Sequence, residues 1–140
     1  MSTANSRQVA GNHYQAGNFQ HWDIVDTWGV GYLEGCCTKY LSRFRKKNGL
    51  QDLQKADHYL QKLIEVRSAQ PGSHGNPVPR VEVARFLAEN GIVGLETAII
   101  HIVFEWAQLG QLKAARHLLA ALIAEYEGSD PGPGYVNQDQ

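Results

Sequence analysis

Residues 32–46 read YLEGCCTKYLSRFRK, and their spacing decides the fold class. Leu33, Cys36, Cys37, Tyr40, Leu41 and Phe44 stand at i, i+3, i+4, i+7, i+8 and i+11, the stripe of an amphipathic helix from about Tyr32 to Lys46. Asn48 and Gly49 supply its stop signals. Upstream, a short helix is expected from about Gln20 to Trp28. It turns Trp22, Val25 and Ile24 inward and is punctuated by Gly29 and Gly31. Downstream, a long helix is expected from about Leu50 to Ser68, burying Leu53, Ala56, Leu60, Leu63 and Ile64.

The three-helix unit recurs. At an offset of 62, Gly29, Leu33 and Glu34 fall on Gly91, Leu95 and Glu96. After a three-residue shortening the offset is 59, and Leu53, Ala56, His58, Leu60, Leu63 and Ile64 fall on Leu112, Ala115, His117, Leu119, Leu122 and Ile123. The second set of helices is expected near Val81–Glu89, Leu95–Ala107 and Gln111–Tyr126. Gln70 to Pro79, with three prolines and two glycines, reads as the connection. Nothing alternates at strand period over a useful length. The expected fold is an all-α helical bundle built from two tandem three-helix copies, the second degenerate. A single domain spans 1–140: an N-terminal arm over 1–18, the first copy over 19–69, a linker over 70–80, the second copy over 81–127 and a flexible tail over 128–140.

At 140 residues the chain can bury a sizeable core. A net charge of -1 makes any electrostatic argument local. No run reaches the ~20 apolar residues of a membrane helix, and the polar first 18 residues lack a signal-peptide core, so a cytoplasmic, non-membrane protein is expected. Cys36 and Cys37, the only cysteines, read as buried reduced thiols rather than a metal site, since no second ligand pair stands at metal spacing. The second copy's middle helix, with Ile99, Ile100, Ile102, Val103, Phe104 and Trp106, is apolar nearly all round. That implies burial on several sides, inside the domain or at an oligomer contact, and a homo-oligomer anchored by Phe104 and Trp106 is expected.

What the two copies do not share is charge. Lys39, Arg43, Arg45 and Lys46 are replaced by His101, Glu105, Ala107 and Gln108. Lys39, Arg43 and Lys46, at i, i+4 and i+7, share one helix face, and Arg45 and Lys47 continue the charge into the turn. This is either a solvated basic helix end or a phosphate site in which Arg43 grips two oxygens. Asp52 suits the first turn of the next helix, and a tight hairpin would let it orient Arg43 or Arg45. Lys55 and Tyr59, one turn apart, face the groove beside the basic stripe. His58 and His117, at matched positions, read as structural. His13, Tyr14 and Trp22 offer rings that stack on a base.

The residues His13-Tyr14, Trp22 to Asp26, Lys39 to Arg43, Lys46-Lys47 and Asp52 to Ile64 together resemble a small phage domain family labelled phage nucleotide-kinase-like. One member phosphorylates deoxynucleoside monophosphates, and most have no assigned activity. The resemblance covers about residues 12–66. It implies a ligand site of His13, Tyr14, Lys39, Arg43, Asp52, Lys55 and Tyr59, to which the charge and ring pattern adds Trp22, Lys46 and Lys47. Ser42 stands where many members carry an aromatic. The expected function is binding of a small phosphorylated nucleotide without catalysis, in the manner of a phage protein that sequesters a host immune signal in the infected cell. No cofactor or metal is expected. The alternative is a deoxynucleoside monophosphate kinase using ATP and Mg²⁺, although no GxxxxGK(S/T) loop is present and only Glu34, Asp52 and Asp57 are acidic near the basic face. A helical module for nucleic acid or protein partners is a third reading, with nucleic acid disfavoured by the acidic remainder of the chain.

Overall fold

The computed structural model describes Ala4, residues 19–70 and residues 77–129. Among these are six helices and no strand: α1 (His21–Trp28), α2 (Tyr32–Arg43), α3 (Leu50–Ser68), α4 (Arg80–Glu89), α5 (Leu95–Glu105) and α6 (Leu109–Gly128). A 3-10 turn, Phe44–Lys46, follows α2. The protein is an all-α helical bundle. The rest of the expected N-terminal arm with its His13 and Tyr14, most of the linker, and the tail from Asp130 onward lie outside the described residues.

The positions matched between copies behave alike. Leu53, Ala56, Leu60 and Leu63 on α3 and Leu112, Ala115, Leu119 and Leu122 on α6 are all fully buried. Each leucine removed from water contributes roughly 1.5–3 kcal/mol, and the two alanines let the helices approach closely. Where α3 meets α6, Asp57 pairs with Arg116 through two hydrogen bonds of 2.9 and 3.1 Å. These two residues are also 59 apart, so equivalent positions touch each other, as they do across a two-fold axis. Helices α1 and α4 stop the same way. Gly29 and Gly91 sit at φ 62° and 63°, and Val30 and Ile92 donate back to Val25 and Leu87 at 3.0 Å. A β-carbon at either glycine would strain that left-handed turn.

The strongest constraint is polar. Glu34 and Glu96 begin α2 and α5, and both are buried. Glu34 accepts from Trp106 Nε1 at 3.0 Å, beyond the end of α5. Glu96 accepts from Arg45 Nε and Nη2 at 2.5 and 3.1 Å, beyond the end of α2. Each helix thus caps the far end of the other, which sets α2 antiparallel to α5 and fixes their register.

Several expectations are corrected here. Trp22 is 54% exposed rather than inward; Ile24 fills that core position. Phe104 and Trp106 are 2% exposed, so neither is available as an anchor for an oligomer. The all-round apolarity of α5 is used within one chain, against α2, α4 and α6. Val78, assigned to the linker, is in the core and donates its N–H to Phe104 O. His58 and His117 are exposed, not structural. Cys37 is a core thiol whose pKa burial drives upward, but Cys36 is only partly buried.

Trp106→Phe keeps most of the apolar bulk and removes one donor from a buried carboxylate that already has an unpartnered Oε1. The expected loss, measured by chemical denaturation, is ~1–3 kcal/mol. Adding Glu34→Gln should cost less in this background than in the wild type.

Candidate functional site

The first copy's charge separates into two places because the α-helix ends at Arg43 and the chain tightens into a 3-10 turn. On one side, Lys46 lines a small open cleft with Ser42, Arg45, Asn90, Val93 and Glu96. On the other, Lys39 and Arg43 remain on α2 beside Lys55 of α3. Lys39, Arg43 and Lys46 therefore do not form one continuous face.

At the second place the centre is Tyr40, which the apolar stripe had assigned simply to the core. Its ring is half-buried and surrounded by cations: Arg43 Cζ at 4.6 Å, Lys55 Nζ at 5.4 Å and Lys39 Nζ at 5.6 Å from the centroid. Cations favour the negative face of an aromatic ring. Tyr59 lies parallel to Tyr40, with centroids 5.9 Å apart and planes 12° apart. Tyr32 meets Tyr59 edge-on at 6.2 Å. Three tyrosines and three cations thus share one surface of the α2–α3 hairpin.

Arg43 is held in place. Its Nε and Nη2 donate to Asp52 Oδ2 and Oδ1, both at 3.2 Å, and Asp52 is fully buried. Asp52 also accepts from the Asn48 main-chain N–H at 3.3 Å, so the turn after the 3-10 segment, the start of α3 and Arg43 are tied by one carboxylate. Of the two arginines that Asp52 could orient, it holds Arg43; Arg45 belongs to Glu96. The hydrogen bond to Glu96 raises the Arg45 pKa, leaving that guanidinium committed to structure. The exposed Lys46 and Lys47 follow it in the turn.

Behind Lys39 lies a histidine absent from the expected site. His21 Nε2 is 2.8 Å from Thr38 Oγ1, and its ring packs on Phe86 and Phe104. Burial first, and the nearby Lys39 charge second, lower its pKa from 6.5 to about 3. At the open end of the hairpin the Tyr32 hydroxyl is pushed up to about 12 by hydrogen bonding to Cys36, with Tyr59 contributing. The phenol is neutral at ordinary pH and can serve as a hydrogen-bonding and stacking group.

The counterpart face of the second copy lacks all of this. Ile102 stands for Tyr40, Leu118 for Tyr59 and Ala114 for Lys55. His101 bonds Glu105, which also accepts from Arg80 at 3.1 Å. The chemistry of the second face is apolar and acid-paired, and only the first face is cationic. No group of three or more potential metal ligands occurs among the described residues. No helix among them is long and apolar enough to cross a membrane.

Of the expected ligand residues, the structure brings Lys39, Arg43, Asp52, Lys55 and Tyr59 together, sets Lys46 apart on the cleft side, and leaves Trp22 exposed on α1. Tyr32 and Tyr40 were missed as members of this surface. Their signal was present: Tyr32, Cys36 and Tyr40 stand at i, i+4 and i+8, at the edge of the apolar stripe.

Residues 9–61 match the family model DUF3310, described as a protein of unknown function. The match begins in the N-terminal arm, ends inside α3 and does not reach the second copy. It carries no kinase label, so the nucleotide-kinase-like description expected from the sequence is not supported by it. No curated protein and no solved structure matches the chain.

A neutral buried histidine gives a pH-dependent stability with a defined sign. The folded pKa is depressed to about 3 against 6.5 unfolded, so between these values the unfolded chain binds more protons. The contribution is complete above pH 6.5 and is lost as pH falls toward 3. From pH 7 to pH 5 the melting temperature should fall by roughly 5 °C or more on this account. His21→Gln should show a shallower fall by calorimetry; an unchanged pH profile would exclude the assignment.

Proposed function

We propose that this protein binds a small phosphorylated nucleotide on the Tyr40-centred surface of the α2–α3 hairpin and does not transfer its phosphate. The observation that carries the reading is the set of three cations around one tyrosine ring, steadied by the buried carboxylate of Asp52. Asp52 takes two of the five N–H donors of Arg43 and holds the guanidinium in a fixed plane. A fixed guanidinium loses little entropy when an anion arrives, and Lys39 and Lys55 add point charge from either side. The adjoining rings supply apolar area for a base.

Phosphoryl transfer is the second reading. It needs carboxylates that hold Mg²⁺ against the phosphates. The two on α3 nearest this surface are engaged: Asp52 with Arg43, Asp57 with Arg116. That engagement supports binding over catalysis. A protein that holds a nucleotide without converting it acts as a sink, which is the property a phage needs in order to remove a host signal.

Titration calorimetry with dAMP, dGMP, ATP and a cyclic dinucleotide tests the reading. At least one should bind with a Kd well below ~1 mM. Lys39→Ala and Lys55→Ala should each weaken it ~5–30-fold, the worth of one charge-assisted contact. These exposed or half-buried lysines are safer probes than Arg43→Ala, which strands the buried Asp52 and costs stability by itself. Absence of binding, or full binding by both lysine variants, defeats the proposal. Recovery of a phosphorylated product after incubation with ATP, Mg²⁺ and a monophosphate would replace it with the kinase.

A further inference from the structure

The binding surface has a direction. Its cations gather at Tyr40, near the C-terminal end of α2, and its most exposed ring, Tyr32 at 75%, stands at the N-terminal end of the same helix. Between them the rings form an unbroken path, Tyr32 to Tyr59 at 6.2 Å and Tyr59 to Tyr40 at 5.9 Å. Eight residues at ~1.5 Å rise put Tyr32 and Tyr40 about 12 Å apart along the helix axis. A stacked strand advances ~3.4 Å per nucleotide, so this distance corresponds to about three or four nucleotide steps. A phosphate held at Tyr40 and a base stacked on Tyr32 are thus separated by more than one nucleotide step.

The Tyr32 ring meets Tyr59 edge-on, while three quarters of the residue faces solvent. The ring is therefore oriented but uncovered. Aromatic rings beside clustered cations are an arrangement that holds single strands, where bases stack on rings and the backbone meets the charge.

Resting on the nucleotide-binding reading above, we infer that the ligand is longer than one nucleotide: a short single-stranded oligonucleotide, with a phosphate among Lys39, Arg43 and Lys55 and a base further along stacked on Tyr32. Tyr32 is then the residue through which the protein senses ligand length.

The test compares dAMP with 5′-phosphorylated tetradeoxyadenylate by titration calorimetry on the full chain. The tetranucleotide should bind the wild type at least ~10-fold more tightly than dAMP, the gain from one stacked base. Tyr32→Ala should bring the tetranucleotide down to about the wild-type affinity for dAMP. Tyr32→Phe, which keeps the ring, should retain most of the gain, and a melting temperature close to wild type for both variants confirms that the fold is intact. Equal wild-type affinity for the two ligands, or a Tyr32→Ala protein that holds the tetranucleotide as tightly as wild type, overturns the length inference while leaving nucleotide binding in place. Failure of both ligands to bind overturns the length inference, and the nucleotide-binding reading falls with it only if dGMP, ATP and the cyclic dinucleotide fail to bind as well.

Discussion

Two buried carboxylates govern this bundle. A glutamate out of water needs donors, and neither Glu34 nor Glu96 finds enough in its own helix. Glu34 reaches Trp106 and Glu96 reaches Arg45, so each satisfies itself only when α2 and α5 lie antiparallel in one register. Leucine packing between α3 and α6 supplies most of the apolar area, but apolar surfaces tolerate sliding. The glutamates do not, because a slip of one turn would leave a charge buried without a partner.

The same requirement divides the cations of the first copy by role. Five basic residues fall within nine positions of the sequence, and counting them overstates the charge available to a ligand. Arg45 is bound to Glu96, and Arg43 is steadied by Asp52. What the surface around Tyr40 presents is two lysines flanking a positioned guanidinium. The arginines, with rigid planar donors, take the structural pairings, and the lysines, compact charges on flexible stems, stand at its edges.

Much of the architecture was legible because helix formation here is periodic and local. The stripe from Leu33 to Phe44, the stop at Asn48-Gly49 and the full span of α3 follow from spacing alone, and the Leu-Ala positions matched across copies are the ones that are buried. Partner choice was less legible. Glu34 and Glu96 align in sequence, yet an aligned acid gives no hint of whether it faces water or an indole 72 residues away. The same holds for Trp22 and Trp106: both looked apolar and inward, yet the first is exposed and the second is buried with its N–H donated to Glu34. Lys39, Arg43, Asp52, Lys55 and Tyr59 were singled out because charge on an amphipathic helix is conspicuous, and they lie together on the α2–α3 hairpin. Tyr32 and Tyr40 were overlooked because a tyrosine on the edge of a stripe serves core and surface equally well. Lys46 was placed on the wrong side because a 3-10 turn rotates the chain away from helical spacing, and nothing in the residues Phe44 to Lys46 announces it.

The contact between Asp57 and Arg116, residues at matched positions, has a consequence beyond stability. A homodimer built on this plan would have to place Asp57 against a second Asp57, or Arg116 against a second Arg116, and like charges would oppose it. Joining the halves in one polypeptide removes that restriction. It also breaks the rule that a symmetric assembly changes both faces whenever it changes one. Here one half keeps lysines and tyrosines while the other has exchanged them for Ile102, Ala114 and Leu118. One half of the molecule can therefore carry a cationic, tyrosine-rich surface while the other half serves as its permanent packing partner.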